Sequence, residues 1–248
     1  KGKRGKAALN EHKTQPTEAM FSAIAARYDR CNHLFSLGID RIWRKRLAQA
    51  IALTADESAL DICCGTGDMA FALLKYSPVR QVVGIDCSER MIQLAQEKRM
   101  LKTPRRWMKD KELRLRVDDA AALRFEDTSF DAATCAFGLR NIPDRAAVFD
   151  QMIRALNPGG RIGICEFSLP RRPLLRNVYW AYVSQVMPFL GRVVVGNAEP
   201  LRYLARSIHH WHTHVRLEEE LAAAGFIEIR PTPLTGGIAT LTTAQKPQ

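Results

Sequence analysis

Two hydrophobic rhythms alternate along this chain. Short apolar runs at Ala59–Cys63, Gln81–Asp86, Leu113–Asp118, Phe130–Ala136 and Arg161–Phe167 predict strands. Helices are predicted between them at about 67–76, 88–99 and 145–156. Asn157-Pro-Gly-Gly160 should end the last of these and turn the chain into the next strand. Upstream, Met20, Phe21, Ile24 and Ala25 at helical spacing predict a helix over Thr17–Asp29, and a second runs from about Asp40 to Ile51. After Ser168 the alternation breaks for an insertion reaching about Val215. It resumes with a helix at Leu217–Ala224 and strands at Phe226–Pro231 and Ile238–Ala244, close enough to pair antiparallel at an edge. Repeated strand–helix–strand units predict an α/β fold around a mostly parallel sheet.

The chemistry gathers at strand ends. The run Ala59-Leu-Asp-Ile-Cys-Cys-Gly-Thr-Gly-Asp68 ends a strand in Asp61 and enters a tight turn at Gly65, Thr66 and Gly67. The next strand ends in Asp86, placed to accept from a ribose diol. Glycines in that turn let the backbone approach a ligand. A nucleoside crevice at the carboxyl edge of a parallel sheet follows. Gly65 to Ala70 also fits the dinucleotide pattern, a weak signal alone. Three details favour S-adenosylmethionine instead. Asp61 could hold a cationic amino group. Asp68 puts negative charge where a pyrophosphate would sit. The strand over 114–118 ends in an acid pair whose Asp119 suits an adenine amino group.

Composition bounds the rest. The 248 residues can form one large α/β domain, or a core with a small cap. Six cysteines without a C-x-x-C pair read as buried, reduced thiols. Part of the net charge of +11 lies in a basic tail over residues 1–16. Arg171, Arg172, Arg176, Arg192, Arg202 and Arg206 form a second basic zone, with Glu199 its only acid. Such charge suits an anionic membrane or nucleic acid, but no interleaved aromatic RNA-binding pattern accompanies it. The apolar stretch from Val178 to Gly191 is too short for a transmembrane helix. His209, His210, His212 and His214 match no metal motif and read as a solvated linker before the helix at Leu217; no metal site is expected.

Several motifs occur in order. They are Tyr28-Asp-Arg-Cys-Asn32, Ser36-Leu-Gly-Ile-Asp-Arg-Ile-Trp43, Ala136-Phe-Gly-Leu-Arg-Asn141, the run from Arg154 to Ser168, and Leu234-Thr-Gly-Gly-Ile238. Together they resemble the ubiquinone/menaquinone biosynthesis C-methyltransferases over about Phe21 to Lys246. The resemblance implies a class I S-adenosylmethionine-dependent methyltransferase: a Rossmann-like, seven-stranded sheet with its last strand antiparallel. It implies an N-terminal helical lid over 17–55, a core over 56–170, a helical cap for the substrate over 171–215, and the end of the sheet over 216–248. The cofactor crevice would comprise Asp61, Gly65, Thr66, Gly67, Asp86, Cys87, Asp119, Ala120 and Ala136. Ala136 replaces a family serine, so that hydroxyl contact is missing. Arg140 and Asn141 would act on the ring oxygen. Tyr28, Asn32, Phe137 and Tyr203 would meet the substrate. Asp40 stands where relatives carry a histidine; it either takes over a catalytic task or caps the helix beginning there. Glu166 either floors the pocket or pairs with a buried arginine.

The implied reaction is methylation of a prenylated quinol, with demethylmenaquinol ahead of a ubiquinone-type benzoquinol. The competing classes are a methyltransferase for another phenolic lipid and a non-catalytic scaffold of a quinone-biosynthesis complex. A nucleic-acid methyltransferase lacks its Asn/Asp-Pro-Pro-aromatic motif at the fourth strand. The expected location is cytoplasmic, peripheral at the inner face of the membrane, or organellar if the full-length chain carries a leader. The apolar cap could equally form a homodimer surface.

Overall fold

The computed structural model describes residues 36, 38–102, 106–196 and 198–248. The helix expected over Thr17–Asp29, and with it Tyr28 and Asn32, lies outside the described residues.

The first described helix, α1 (Ile39–Ala50), precedes β1 (Ser58–Ile62), α2 (Asp68–Tyr76), β2 (Gln81–Asp86), α3 (Glu89–Lys102), β3 (Glu112–Val117) and β4 (Phe130–Ala136). Then come α4 (Arg145–Ala155) and β5 (Leu156–Phe167). The insertion holds α5 (Pro173–Ala181), a π turn (Tyr182–Val186), α6 (Met187–Val195) and α7 (Glu199–His214). The chain closes with α8 (Leu217–Ala223), β6 (Ile227–Leu234) and β7 (Ala239–Gln245).

The strands form one seven-stranded sheet in the order β3-β2-β1-β4-β5-β7-β6. The first five run parallel; β7 inserts antiparallel between β5 and β6. The last two strands do pair antiparallel, but only β6 is an edge, because β7 also pairs with β5 along its length. The chain leaves β1 toward β2 on one side and meets β4 on the other. That reversal opens a crevice at the carboxyl ends of these strands.

Each sheet face carries its own apolar layer. On one, α1 and α2 bury Trp43, Leu47, Ile51, Phe71 and Leu73 against β-strand residues such as Val82 and Leu241. Gly163 on β5 lets α1 come this close: a Cβ there would lie 2.4 Å from Leu47 and 2.5 Å from Ile51. On the other face, Val148, Phe149 and Met152 of α4 and Leu217 and Leu221 of α8 pack over Leu60, Ile62 and Ile162. The cap builds a third cluster from Tyr179, Val183, Met187, Ala205 and Ile208.

Two segments differ from what the sequence predicts. Asn157-Pro-Gly-Gly160 does not separate a helix from a strand, since β5 already begins at Leu156, paired with Phe130. Residues 157–160 bulge from the register, and Gly159, at φ +72°, turns the backbone so that its amide and the Gly160 carbonyl bond Pro247 and Lys246. Nor do the histidines form a linker. They occupy the last turns of α7, whose inner face buries Trp211 while His210 and His214 stack at 4.6 Å. No group of residues that could hold a metal ion occurs among the described residues.

Candidate active site

The crevice is built from the ends of β1 and β2. Asp61 is fully buried at the end of β1, where its Oδ1 accepts from Thr134 Oγ1 at 2.8 Å across the β1–β4 pair. Its Oδ2 has no hydrogen-bond partner among the described residues. Burial pushes this carboxyl up to about 7, against the opposing pull of the Thr134 hydrogen bond and the Arg44 charge. After Cys63 the backbone reverses through Gly65 (φ +54°) and Gly67 (φ +85°), and Gly67 caps α2. A Cβ at Gly65 would meet no atom of the described residues within 4 Å, so among them this turn leaves the room a ligand cradle requires.

Asp86 holds that turn in place. Its Oδ2 accepts from the Gly65 amide at 2.8 Å and its Oδ1 from the Ser88 amide at 2.9 Å. Carboxylate oxygens keep further lone pairs for a diol. Cys87 beside it is exposed. Thr66 is buried, and its hydroxyl accepts from Lys98 Nζ at 2.9 Å. The same Nζ pairs with Asp68 at 2.8 Å. Asp68 is therefore not the bare negative charge that would repel a phosphate, and that part of the discrimination against a dinucleotide falls away. At the end of β3 the acid pair divides its work. Asp118 is buried and gripped by Arg116 at 2.6 Å and Arg124 at 2.9 Å. Asp119 is exposed, its carboxylate accepting from the Ala121 amide at 2.9 Å, next to buried Ala120.

Beyond Ala136 at the end of β4, Phe137 adopts φ +64°, unusual for a side-chain-bearing residue. Its ring packs on Phe167 (4.7 Å) and Trp43 (5.9 Å), with the Arg44 guanidinium 5.1 Å away. Gly138 then lies against Cys63, where a Cβ would come within 2.5 Å of the cysteine's own. This contact locks the two loops that leave β1 and β4. Arg140 follows in a 3-10 turn, its side chain only 4% exposed. Nη1 donates to the Phe137 carbonyl (2.6 Å) and to Glu166 Oε2 (3.0 Å), and Nε donates to Ser207 (3.3 Å). Phe167 lies beneath the guanidinium at 5.2 Å. Nη2 makes no hydrogen bond among the described residues. Tyr203 of α7 donates to Asn141 Oδ1 at 3.0 Å, joining the cap to this turn.

Asp40 is not the cap of α1. Gly38 takes that position with φ +75°, and Asp40 sits inside the first turn. It accepts from the Ser36 hydroxyl at 2.6 Å and pairs with Arg44 one turn on. Asp40 thus fixes the arginine that lies over Phe137 and bears on Asp61. Sequence reading missed Arg44, although the i,i+4 spacing from Asp40 is a legible signal.

With this geometry in hand, the sequence comparisons decide the family: residues 7–246 match the profile of the ubiE/COQ5 methyltransferase family. The chain belongs to that family. A demethylmenaquinone methyltransferase from Clavibacter sepedonicus is 40% identical over 229 residues, covering 92% of this chain and 89% of that protein. One from Staphylococcus aureus is 35% identical over 233 residues, covering 94% and 93%. Among solved structures, the putative methyltransferase in complex with the Haloferax volcanii Trm112 activator superposes with a TM-score of 0.62 at 17% identity, covering 93% and 97%. A Haemonchus contortus phosphoethanolamine N-methyltransferase bound to S-adenosylmethionine gives 0.57 at 19% identity, covering 82% of this chain and 53% of that one. These likenesses agree on the class I methyltransferase fold.

This ubiE/COQ5-type methyltransferase is an S-adenosylmethionine-dependent enzyme, and its residues fit that cofactor. The buried Oδ2 of Asp61, without a hydrogen-bond partner among the described residues, suits a cationic amino group. Asp86 and the open Gly65 turn match a ribose. When bound, the cofactor supplies an electrophilic methyl group. Glu166 is the buried partner of an arginine, and that arginine is Arg140.

Proposed function

We propose that this methyltransferase C-methylates a prenylated quinol ring, with demethylmenaquinol as its substrate. One observation carries the reading. A buried guanidinium, Arg140, stands at the carboxyl end of β4 beside the cofactor crevice, with its charge balanced by Glu166 and one nitrogen still unbonded. The relatives named demethylmenaquinone methyltransferase support the choice of ring.

An aromatic carbon attacks a methyl group only when it is electron-rich, and a quinol becomes so as an adjacent hydroxyl loses its proton. A fixed cation in a water-poor site lowers the pKa of that hydroxyl and stabilises the charge that develops. Arg140 is held by Glu166, the Phe137 carbonyl and Ser207, so its Nη2 is pre-aimed rather than recruited. Asn141, oriented by the Tyr203 hydroxyl, offers its amide N–H groups to the ring oxygen or to a water that takes the proton. The Trp43, Phe137 and Phe167 rings supply flat apolar walls.

A prenyl tail keeps the substrate in a bilayer, and the cap suits that surface. Leu174, Val178, Val186, Phe189 and Val193 are large, apolar and exposed on α5, the π turn and α6. Exposed Arg171, Arg172, Arg176 and Arg192 flank them. We read this face as shallow docking at anionic headgroups on the inner leaflet. No described helix is long and apolar enough to cross a membrane.

An acceptor series tests the ring assignment. Equal concentrations of reduced demethylmenaquinone, its benzoquinol counterpart and an unprenylated naphthoquinol are offered in mild detergent. The prenylated naphthoquinol should give the highest kcat/KM. A preference for the benzoquinol would move the substrate to the ubiquinone type, and methylation of none would remove quinols altogether.

A further inference from the structure

The cap carries a second phenol that has no partner. Tyr179, on α5, is buried to 9% exposure. Unlike Tyr203, which bonds Asn141, its hydroxyl makes no hydrogen bond among the described residues. Tyr179 thus offers a largely buried ring whose hydroxyl donor is unused within the described residues.

Its surroundings point to Arg140. Tyr179 packs in the cap cluster with Ala205 and Ile208, against Phe167. Phe167 is the ring under the Arg140 guanidinium, and Ser207, next to Ile208, is the residue that accepts from Arg140 Nε. The cluster that holds Tyr179 and the Arg140 guanidinium therefore meet at Phe167 and at one turn of α7. Burial holds the Tyr179 hydroxyl far above the range where it would ionise, and the nearby Arg140 charge pulls the other way. The phenol is thus a hydrogen-bond donor at working pH, and its neighbour Arg140 has unused donors at Nη2. One donor is neutral and the other cationic, and the two together would suit one anionic oxygen.

We propose that Tyr179 is a substrate-binding residue whose hydroxyl donates, together with Arg140 Nη2, to the ring oxygen that becomes anionic during methylation. This rests on the quinol reading above. It assigns the cap a direct part in the chemistry, because α5 supplies a donor to the oxygen as well as an apolar lining for the tail. No proton is transferred to or from Tyr179; it stabilises charge in place.

The test compares wild type with Tyr179→Phe, which keeps the ring and its packing. Thermal unfolding and S-adenosylmethionine affinity should be unchanged. On reduced demethylmenaquinone, kcat should fall about 10- to 100-fold, the loss expected for one hydrogen bond to a charged oxygen. The pH–kcat profile should also shift to higher pH, because the bound quinol loses a donor that favours its ionised form. A Tyr179→Phe enzyme with wild-type kcat overturns the proposal. So does one whose kcat falls equally at every pH, since that marks a packing role. A wild type that binds S-adenosylmethionine but never methylates the quinol overturns the quinol reading itself, and this inference with it.

Discussion

Arg140 and Glu166 form an ion pair of 3.0 Å whose side chains are only 4% and 2% exposed. One comes from the turn after β4 and the other from the end of β5, so the pair fixes that turn to the sheet. Glu166 also accepts from the Arg140 amide at 3.2 Å, binding backbone and side chain of the same residue.

Glu166→Gln should therefore damage stability and activity together. A buried charge left unpaired costs on the order of 3 kcal/mol. The expected result is a lower unfolding midpoint and turnover reduced at least tenfold, with S-adenosylmethionine affinity nearly intact. Chemical denaturation and isothermal titration measure the two halves separately. Wild-type stability would mean that the pair contributes nothing net.

Asp61 should make cofactor binding pH-dependent. Its carboxyl is raised from 3.8 to about 7, so the folded protein holds a proton there that the unfolded chain has released. The stability this contributes is complete below about pH 4 and is lost as pH rises to about 7, by on the order of 4 kcal/mol. A cationic ligand favours the ionised form. Affinity for S-adenosylmethionine should then rise about tenfold per pH unit through pH 6 and level off above about 7. Asp61→Asn should bind weakly and without that slope; a flat wild-type profile would argue against a cation at Oδ2.

Asp86 holds the turn and should serve the ligand as well. Asp86→Ala removes the acceptor of the Gly65 and Ser88 amides, at about 1–3 kcal/mol for each charge-assisted bond. Cofactor affinity should fall by at least 100-fold while the protein stays folded. Titration with S-adenosylhomocysteine gives the number, and a loss under threefold would separate Asp86 from the crevice.

Gly138 is needed for space and not for its backbone angle. An added Cβ would meet Cys63 at 2.5 Å, and Gly138 has an ordinary φ of −104°. Gly138→Ala should spread the β1 and β4 loops, costing about 1–3 kcal/mol and most of the turnover. Cys63 sits at φ +51°, so Cys63→Gly relieves the clash and the strain together. The double variant should be more stable than Gly138→Ala alone, as denaturant midpoints would reveal.

The cap surface gives a membrane prediction. Vesicles containing phosphatidylglycerol should sediment the protein, and neutral vesicles should do so far less. Phe189→Glu with Val193→Glu should weaken the anionic binding at least tenfold while leaving S-adenosylmethionine affinity unchanged. Binding that ignores lipid charge would contradict the role given to the arginines.

Most of the parallel strands were legible as short apolar runs between polar loops, and β3 as an alternation of leucine with charged residues; the bounds of β2 and β4 match the reading. The carboxylates at strand ends were legible for the same reason, since strand ends fix the crevice. Strand order beyond β5 was not, because nothing local in the β7 sequence tells it to enter between β5 and β6. The histidine-rich end of α7 misled, since polar composition hid a helix whose apolar stripe rests on Ala205, Ile208 and Trp211. Long-range partners were the least legible. Lys98 reaches Asp68 from 30 residues away, and Arg140 meets Ser207 from 67 away, distances that no local pattern encodes.

On this reading S-adenosylmethionine supplies the methyl group to the ring of a quinol, and Arg140 with its neighbours stabilises the ring oxygen. The most direct measurement incubates the protein with methyl-labelled S-adenosylmethionine and demethylmenaquinone, either chemically reduced or left oxidised, and follows label into the organic phase. Label should appear in a menaquinone-sized product only with the reduced acceptor, and Arg140→Lys should lower it at least 100-fold. Equal labelling of the oxidised quinone, or none with cofactor binding intact, would contradict the account.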